Sequence, residues 1–295
     1  MNVQGRKNMS ENEFRAFCGL LNDEEGKTLD RLSSEFKKIL RQEPHWKDWI
    51  LSQKDIPNKH RSRELIQELH WEEIETELKD LAGKDGNNID LEEGLSLLSL
   101  FSGSSLGKEE ISVPLDRMAE DLSPVLDRAG DAETVIKVFR QYFFKHQGFH
   151  GDILNYYDPE NSYLHKVLDR KIGIPISLSC VCLLLARRLR WKGRRLPLFG
   201  IGLPSHFIVQ FRFAEKSVYL DPFNRGKVIS RRDCIEMLKN QDIGFQESYL
   251  FPVDSRAILT RTITNLVHVY SDLGEEKKRD QLLKYLQVLN GEREA

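Results

Sequence analysis

Residues 173–186 read Gly173-Ile-Pro-Ile-Ser-Leu-Ser-Cys-Val-Cys-Leu-Leu-Leu-Ala186, and this stretch decides the fold. Gly173 ends a short helical segment, and Pro175 suits the first position of the next helix, because that position needs no backbone N–H donor. An apolar run follows, and the helix is predicted to continue to about Arg190. Cys180 and Cys182 lie inside this run and are expected to be buried, reduced thiols.

Short strands follow this helix, and helices occupy both ends of the chain. The apolar pattern predicts strands at 198–201, 206–211, 218–220 and 227–229. Helical periodicity covers residues 12–82, resumes at Asp90, and recurs at 115–129, 132–146, 162–171, 231–240, 254–272 and 275–289. The sequence therefore predicts an α+β fold with helices first, a small antiparallel sheet late, and helices again.

Composition and turn residues predict three regions. The chain has 295 residues, 40% of them hydrophobic and 31% charged, which suits one or two globular domains. The turn-rich segment 82–88 is the best domain boundary. We predict a helical region at 1–85, a core with its leading helices at 86–252, and a helical hairpin at 253–295 hinged at Gly274.

Several classes of protein are disfavoured by the same composition. The net charge of −2 gives no general case for nucleic-acid binding, and no apolar run is long enough to cross a bilayer. Residues 1–7 show no signal-peptide pattern. The four cysteines lack zinc-ligand spacing, and the sequence has no phosphate-binding glycine loop. We therefore expect a cytoplasmic protein without a cofactor.

The order of polar residues suits a site in which a nucleophile, a histidine and an aspartate act together. A helix N-terminus favours a thiolate and a nearby oxyanion, and the candidates there are Ser177 and Cys180. Ser177 is equally explained as a local cap, and Cys180 as a core residue. His206 leads from a loop into a strand, and Asp221 ends the next strand, where it would fix the histidine tautomer. The alternatives are a structural histidine at a strand edge and an aspartate in a turn.

The pairing of these two strands decides whether His206 and Asp221 meet. A tight turn at Glu215-Lys216 would place Asp221 near Gln210, with His206 roughly 13 Å away along the strand. A loop from Arg212 to Glu215 would place the two side chains directly opposite each other. Only the second register is expected to form a dyad.

A basic run follows the buried helix. It surrounds Trp191, and its candidate anion ligands are Arg187, Arg188, Arg190, Arg194 and Arg195. In a nucleic-acid complex these cations could bind phosphates while the tryptophan stacks on a base. They also suit a helix C-terminus, where the helix dipole favours positive charge without any partner. We favour the second interpretation, because no other part of the sequence extends a basic face.

A set of motifs is specific enough to indicate a family. They are Tyr156-Tyr-Asp-Pro-x-Asn-Ser-Tyr163, Leu168-Asp-Arg170, Gly173-Ile-Pro-Ile-Ser-Leu178, Ala186-Arg-Arg-Leu189, Gly200-Ile-Gly-Leu-Pro-Ser-His-Phe207 and Asp221-Pro-Phe-Asn224. Together they resemble the bacterial SirB-type transglutaminase-like proteins, a group that also resembles a domain of some eukaryotic F-box proteins. The resemblance covers about residues 90–290. The tail resembles tetratricopeptide-like helices, and the first 85 residues, which lie outside it, suggest a small helical repeat of HEAT type.

The resemblance implies a transglutaminase-like core, in which a helix packs on an antiparallel sheet. The catalytic triad of the transglutaminase/papain-like superfamily is Cys-His-Asp, and His206 and Asp221 match its last two members. The superfamily cysteine lies two residues after a glycine at the helix start, where this chain has Pro175 after Gly173. About five extra residues near 190–194 also lengthen the connection to the first strand.

Three functions remain open from the sequence. The favoured hypothesis is a non-catalytic transglutaminase-like scaffold whose helical flanks bind a protein partner. The alternative is an amide or ester hydrolase or acyltransferase that uses His206 and Asp221 with either Ser177 or Cys180. Nucleic-acid binding through the basic run is disfavoured. The proline decides between the first two, since its side chain cannot attack a carbonyl group.

Overall fold

The computed structural model describes residues 9–21, 26–83, 89–103 and 109–291. The chain divides into two compact units, residues 1–73 and 74–295, and the division lies within one long helix. Residues 1–7, where no signal peptide is expected, and residues 84–88 of the predicted break lie outside the described part. The boundaries predicted near 85 and 252 stay predictions.

The first unit is helical, as its apolar spacing predicts. Aromatic rings form its core: Phe14 stacks on Trp46 with 4.2 Å between ring centroids, and Phe36 is fully buried beside them. The fourth helix begins in this unit and continues into the second. The helices are α1 (Glu11–Leu20), α2 (Lys27–Gln42), α3 (His45–Ser52) and α4 (Lys59–Gly83).

Helices also lead into the sheet of the second unit. The side chains of Asp90 and Asp131 cap α5 and α7 by accepting backbone N–H groups at 2.9 and 2.7 Å. A π-helical segment, Gln141–His146, follows α7 where the sequence predicts one continuous helix, and it buries two phenylalanines. The helices are α5 (Leu91–Phe101), α6 (Glu109–Leu126), α7 (Ala132–Arg140), α8 (Leu164–Arg170) and α9 (Pro175–Arg188).

α9 lies at the centre of the second unit. Every residue from Pro175 to Ala186 is buried. The helix packs on the sheet on one side and on α6 and α8 on others, so it has no solvent-facing stripe over this length. Burial on all sides explains a sequence that is apolar all round.

The main sheet is a four-stranded antiparallel meander in the order β5-β6-β7-β8. Its strands are β5 (Leu198–Ile201), β6 (Ile208–Arg212), β7 (Ser217–Asp221) and β8 (Lys227–Ile229). β6 begins two residues later than predicted, because a turn closed by the bond from the His206 N–H to the Leu203 carbonyl occupies its expected start. The α+β fold predicted from the sequence is confirmed.

The register between β6 and β7 differs from both predicted registers. Val209 lies opposite Leu220, and Arg212 lies opposite Ser217. Both predictions were wrong, and the real pairing falls midway between them. The intervening turn is closed by the Phe213 N–H, which donates to the Lys216 carbonyl at 2.8 Å.

Short strands and helices complete the unit. β1 (His150–Gly151) pairs in parallel with β2 (Ile172–Gly173), and β3 (Arg190–Trp191) forms a hairpin with β4 (Arg194–Arg195). The hairpin is a correction: the helix stops at Arg188, so the basic run does not simply extend its C-terminus. After the sheet come α10 (Arg231–Lys239), α11 (Ser255–Asp272) and α12 (Glu276–Asn290). None of the helices described has the length and apolarity that a membrane span needs.

Candidate functional site

His206 and Asp221 form a hydrogen-bonded dyad. His206 Nε2 lies 3.0 Å from Asp221 Oδ2. The side chain of His206 is 16% exposed and that of Asp221 is fully buried. The histidine reaches the aspartate from the turn before β6, where Ser205 has a positive φ of 58°. Sequence reasoning expected the dyad only in a register that does not occur; the turn, and not strand pairing, brings the two residues together.

Asn224 holds Asp221 in place. Its side-chain Nδ2 donates to Asp221 Oδ2 at 2.7 Å, and its backbone N–H donates to Asp221 Oδ1 at 3.2 Å. Burial alone would raise the pKa of the Asp221 carboxyl, but the bonds from His206 and Asn224 outweigh it and hold that pKa below its usual value. Asp221 is therefore an anion at neutral pH, suited to orient the imidazole.

The turn that carries Asp221 is clamped against β1. The N–H of Gly151 donates to the carbonyl of Phe223 at 3.0 Å. A Cβ at Gly151 would lie 2.3 Å from the Phe223 ring, so only glycine allows this close approach. The turn that follows Asp221 is thus held closely against β1.

The N-terminus of α9 and His206 of the dyad line one cleft of about 530 Å³, called the dyad cleft below. Pro175 and Ile176 contribute from the helix, and His206 contributes from the opposite wall. With its Nε2–H donated to Asp221, a neutral His206 carries its free lone pair on Nδ1. Pro175, which lines the same cleft, has a side chain with no nucleophilic group.

Ser177 does not line the cleft. Its hydroxyl donates to the carbonyl of Asn161 at 2.6 Å and accepts the N–H of Ile174 at 3.0 Å, and it is buried. Gly173 makes room for it, since a Cβ there would lie 2.6 Å from the Ser177 oxygen. The hydroxyl ties the helix start to the preceding loop.

The thiols are also buried and lie outside the cleft. All four cysteines of the chain are buried. Burial raises the pKa of Cys180 to about 12, and Arg187 offsets only part of that effect. Cys182 is also fully buried, with a pKa well above its usual value for the same reason. Neither thiol lines the dyad cleft.

The basic run divides between ion pairs and backbone contacts. Arg188 bonds to Glu92 at 2.7 Å and to Asp116 at 2.6 Å, so its charge is neutralised inside the fold. The indole N–H of Trp191 donates to the Ala129 carbonyl at 2.8 Å, and its ring meets Phe213 edge-on. Of the other candidate ligands, Arg187 donates to Ser255 at 3.2 Å, and the rest belong to the β3–β4 hairpin: Arg190, Arg194 and Arg195.

The sequence did not predict a role for two polar residues of the site, Asn224 and Arg261. Asn224 could have been found, because an asparagine three residues after an aspartate in a Pro-containing turn is a common local hydrogen-bond pattern. Arg261 of α11 had no signal of its own; its guanidinium lines the dyad cleft. In the described part of the chain, no three His, Cys, Asp or Glu side chains converge as metal ligands.

Comparison with known families fits this geometry. The family model of the transglutaminase-like superfamily matches residues 109–264, more than half of the chain. This chain belongs to the transglutaminase-like superfamily. The match covers the central helix, the meander and both dyad residues. The transglutaminase-like core expected from the sequence motifs is therefore confirmed.

Curated relatives come from bacteria and from animals. A UPF0162 protein of Xylella fastidiosa (strain 9a5c) is 34% identical over 138 residues, 45% of this chain and 47% of that protein. A UPF0162 protein of Vibrio cholerae is 28% identical over 191 residues, covering 63% and 68%. F-box only protein 21 of Homo sapiens is 32% identical over 146 residues, covering 47% and 21%. The chain thus spans about half of the Xylella relative, and no solved structure gave a significant match.

Proposed function

We propose that this transglutaminase-like protein is a non-catalytic, SirB-type scaffold that binds a protein partner. One observation carries the proposal: Pro175 stands at the start of α9, in the cleft that His206 lines. A proline offers neither a nucleophilic side chain nor a backbone N–H for an oxyanion. The start of α9 therefore offers the His206 base no group to activate.

The alternative function requires large local rearrangements. For Ser177 to act in acyl transfer, its hydroxyl would have to leave the Asn161 carbonyl and Ile174 N–H and reach the cleft. For Cys180 to act, a fully buried thiol would have to leave the core. The hypothesis of a hydrolase or acyltransferase keeps the dyad, but neither of its two candidate nucleophiles, Ser177 and Cys180, lines the cleft.

The C-terminal hairpin is the favoured flank for a partner. α11 and α12 pack against each other, and α11 supplies one wall of the dyad cleft. We interpret them as a tetratricopeptide-like pair that depends on the core for stability, since one such pair cannot form a solenoid. Exposed apolar residues near this hairpin, Phe251 and Leu273, add surface for a protein contact.

The test compares the native protein with Pro175→Cys, each with and without His206→Ala. Hydrolysis of p-nitrophenyl esters and p-nitroanilides is measured together with iodoacetamide alkylation between pH 5 and 9. We expect native hydrolysis no faster than that of His206→Ala. The thiol introduced by Pro175→Cys is expected to react with an apparent pKa below about 8.5, which rises when His206 is removed.

Two results would count against the proposal. Native hydrolysis that disappears in His206→Ala would show that the dyad already has a nucleophile. A thiol at position 175 that reacts independently of His206 would show that the helix start and the dyad do not form one site.

A further inference from the structure

Arg261 is a half-buried cation for which the described residues provide no acidic partner. Its Nη1 donates to the Leu203 carbonyl at 2.6 Å, and its guanidinium lies over the Phe207 ring, 5.6 Å from the centroid. Among the residues described, no Asp or Glu forms an ion pair with it. Burial lowers its pKa, with Tyr156 opposing the shift, but arginine titrates so high that the charge remains.

Two other half-buried arginines of this unit, Arg170 and Arg188, have acidic partners. Arg170 bonds to Asp158 and Glu160, each at 3.0 Å, and Arg188 bonds to Glu92 and Asp116. A guanidinium has five N–H donors, and desolvated charges are normally compensated by an opposite charge. The unpaired donors of Arg261, in a cleft, therefore indicate an anion supplied by a ligand.

The face of α11 that lines the cleft is mostly polar, with Arg261 near one end and Asp272 at the other. Its lining residues are Arg261, Thr264, Asn265, His268, Val269 and Asp272. Arg261 and Asp272 are eleven residues apart, which is about 16 Å along a helix. An extended peptide advances about 3.3 Å per residue, so about five residues would span from the cation to the anion.

The facing wall is formed by aromatic and aliphatic side chains. Tyr156 and Tyr157 line it, next to Pro175 and Ile176 of α9. Asp152 braces their loop by accepting the Asn155 N–H at 2.9 Å. The same loop exposes the side chains of Ile153 and Leu154, at 77% and 92%. Exposed apolar side chains on a braced loop are typical of a surface that contacts another chain.

We infer that the dyad cleft binds the C-terminal end of a partner protein in extended form, with its terminal carboxylate on Arg261 and a basic residue about four positions upstream near Asp272. The inference rests on the proposed function, because the peptide is held beside the dyad and not cleaved. Leu203 and Phe207 contact the guanidinium, and Gly202 lies beside it, so the inference places the end of the bound chain there. A single cation in a cleft that also holds an aspartate suits a singly charged carboxylate better than a phosphate.

The experiment uses two pools of randomised pentapeptides with acetylated N-termini, one with free C-terminal carboxylates and one amidated. Each pool is passed over the immobilised full-length protein, and retained peptides are identified by mass spectrometry. We expect the free-acid pool to be retained at least about tenfold better, the ratio that 1.4 kcal/mol of binding free energy gives. Retained peptides are expected to be enriched in Lys or Arg at the first position.

Variants separate the two ends of the peptide. Arg261→Gln should abolish the preference for the free acid, whereas Arg187→Gln, at an exposed arginine outside the cleft, should leave it unchanged. Asp272→Lys, at an exposed position, should replace the basic preference by an acidic one without altering the need for a carboxylate. The comparison of the two pools on the native protein needs no variant, so a folding defect in Arg261→Gln does not affect it.

The outcomes distinguish this inference from the proposed function. Equal retention of the acid and amidated pools, or no retention of either, overturns the inference and leaves the proposed function to the Pro175→Cys comparison. Retention of the acid pool with shortened peptides in the eluate supports the binding site and overturns the non-catalytic function. Retention of intact free-acid peptides alone supports both.

Discussion

The two walls of the dyad cleft differ in the chemical groups that they offer for catalysis. On the sheet side, His206 and Asp221 are bonded at 3.0 Å and braced by Asn224. On the helix side, Pro175 lines the cleft without a nucleophilic group, and the hydroxyl of Ser177 is bonded to the backbone. Under the proposed function, an intact histidine–aspartate pair is therefore not sufficient evidence of turnover.

The difference has a physical reason. Asp221 is a buried carboxylate, and removing its partners would leave that charge uncompensated, which is costly. The histidine and the asparagine are thus held by the stability of the fold itself. The side chain at the start of α9 carries no such structural duty, and Pro175 suits the first turn of the helix. The predictions that follow test this asymmetry.

The largest expected effect is on the native thiols. A pKa of about 12 leaves about one Cys180 in 10⁵ as thiolate at pH 7, about a thousandfold less than an ordinary cysteine. We expect alkylation of Cys180 to be at least that much slower than in the urea-unfolded chain, measured site by site with iodoacetamide and mass spectrometry. Cys18, Cys182 and Cys234 are also expected to react more slowly than in the unfolded chain, because burial raises the pKa of each thiol. Rapid labelling of Cys180 near pH 6 that slows in His206→Ala would contradict the asymmetry.

The next effect is on stability. Asp221→Ala leaves the donors of His206 and Asn224 without their acceptor, and we expect a loss of about 3 kcal/mol in the free energy of unfolding. Urea denaturation measures it. Asp280→Ala is the matched control, because Asp280 is exposed and paired only with its neighbour Arg279, and it should cost less than about 0.5 kcal/mol. A loss below about 1 kcal/mol for Asp221→Ala would mean that the dyad is not structural.

Acid stability gives a smaller, pH-dependent effect. The pKa of Asp221 is lower in the folded protein than in the unfolded chain, so its contribution is complete above about pH 4. It is lost as the pH falls through the lowered folded value. We expect the native protein to lose more unfolding free energy between pH 5 and pH 2 than Asp221→Asn does, in urea titrations at each pH. Parallel curves for the two proteins would show that the carboxylate is not specifically stabilised.

Local signals made much of the fold predictable. The Gly-x-Pro start of α9 and the caps at Asp90 and Asp131 depend on residues close in sequence, and the structure has all three. The β3–β4 hairpin also had a signal in the sequence, but the segment was interpreted only as a basic run. Lys192 and Gly193 both have positive φ, at 49° and 74°, as a tight hairpin turn requires.

Long-range geometry could not be predicted in the same way. His206 meets Asp221 because Ser205 takes a left-handed conformation, and a serine gives no warning of that. Arg261 enters the cleft through a bond to Leu203, 58 residues earlier. Neither contact leaves a pattern in a single sequence.

The smallest expected effect distinguishes a structural role of the Ser177 hydroxyl from a catalytic one. Ser177→Ala removes the bond to the Asn161 carbonyl and the acceptor for the Ile174 N–H, so we expect a loss of about 1–2 kcal/mol in unfolding free energy. Binding of free-acid pentapeptides should be unchanged, because Ser177 does not line the cleft. Ser179→Ala is the matched control: its hydroxyl bonds only within the helix, to the Pro175 carbonyl at 2.7 Å, and its loss should cost less. If Ser177→Ala kept its stability but lost an esterase activity present in the native protein, the hydroxyl would be a nucleophile, and the two walls of the cleft would form one catalytic site.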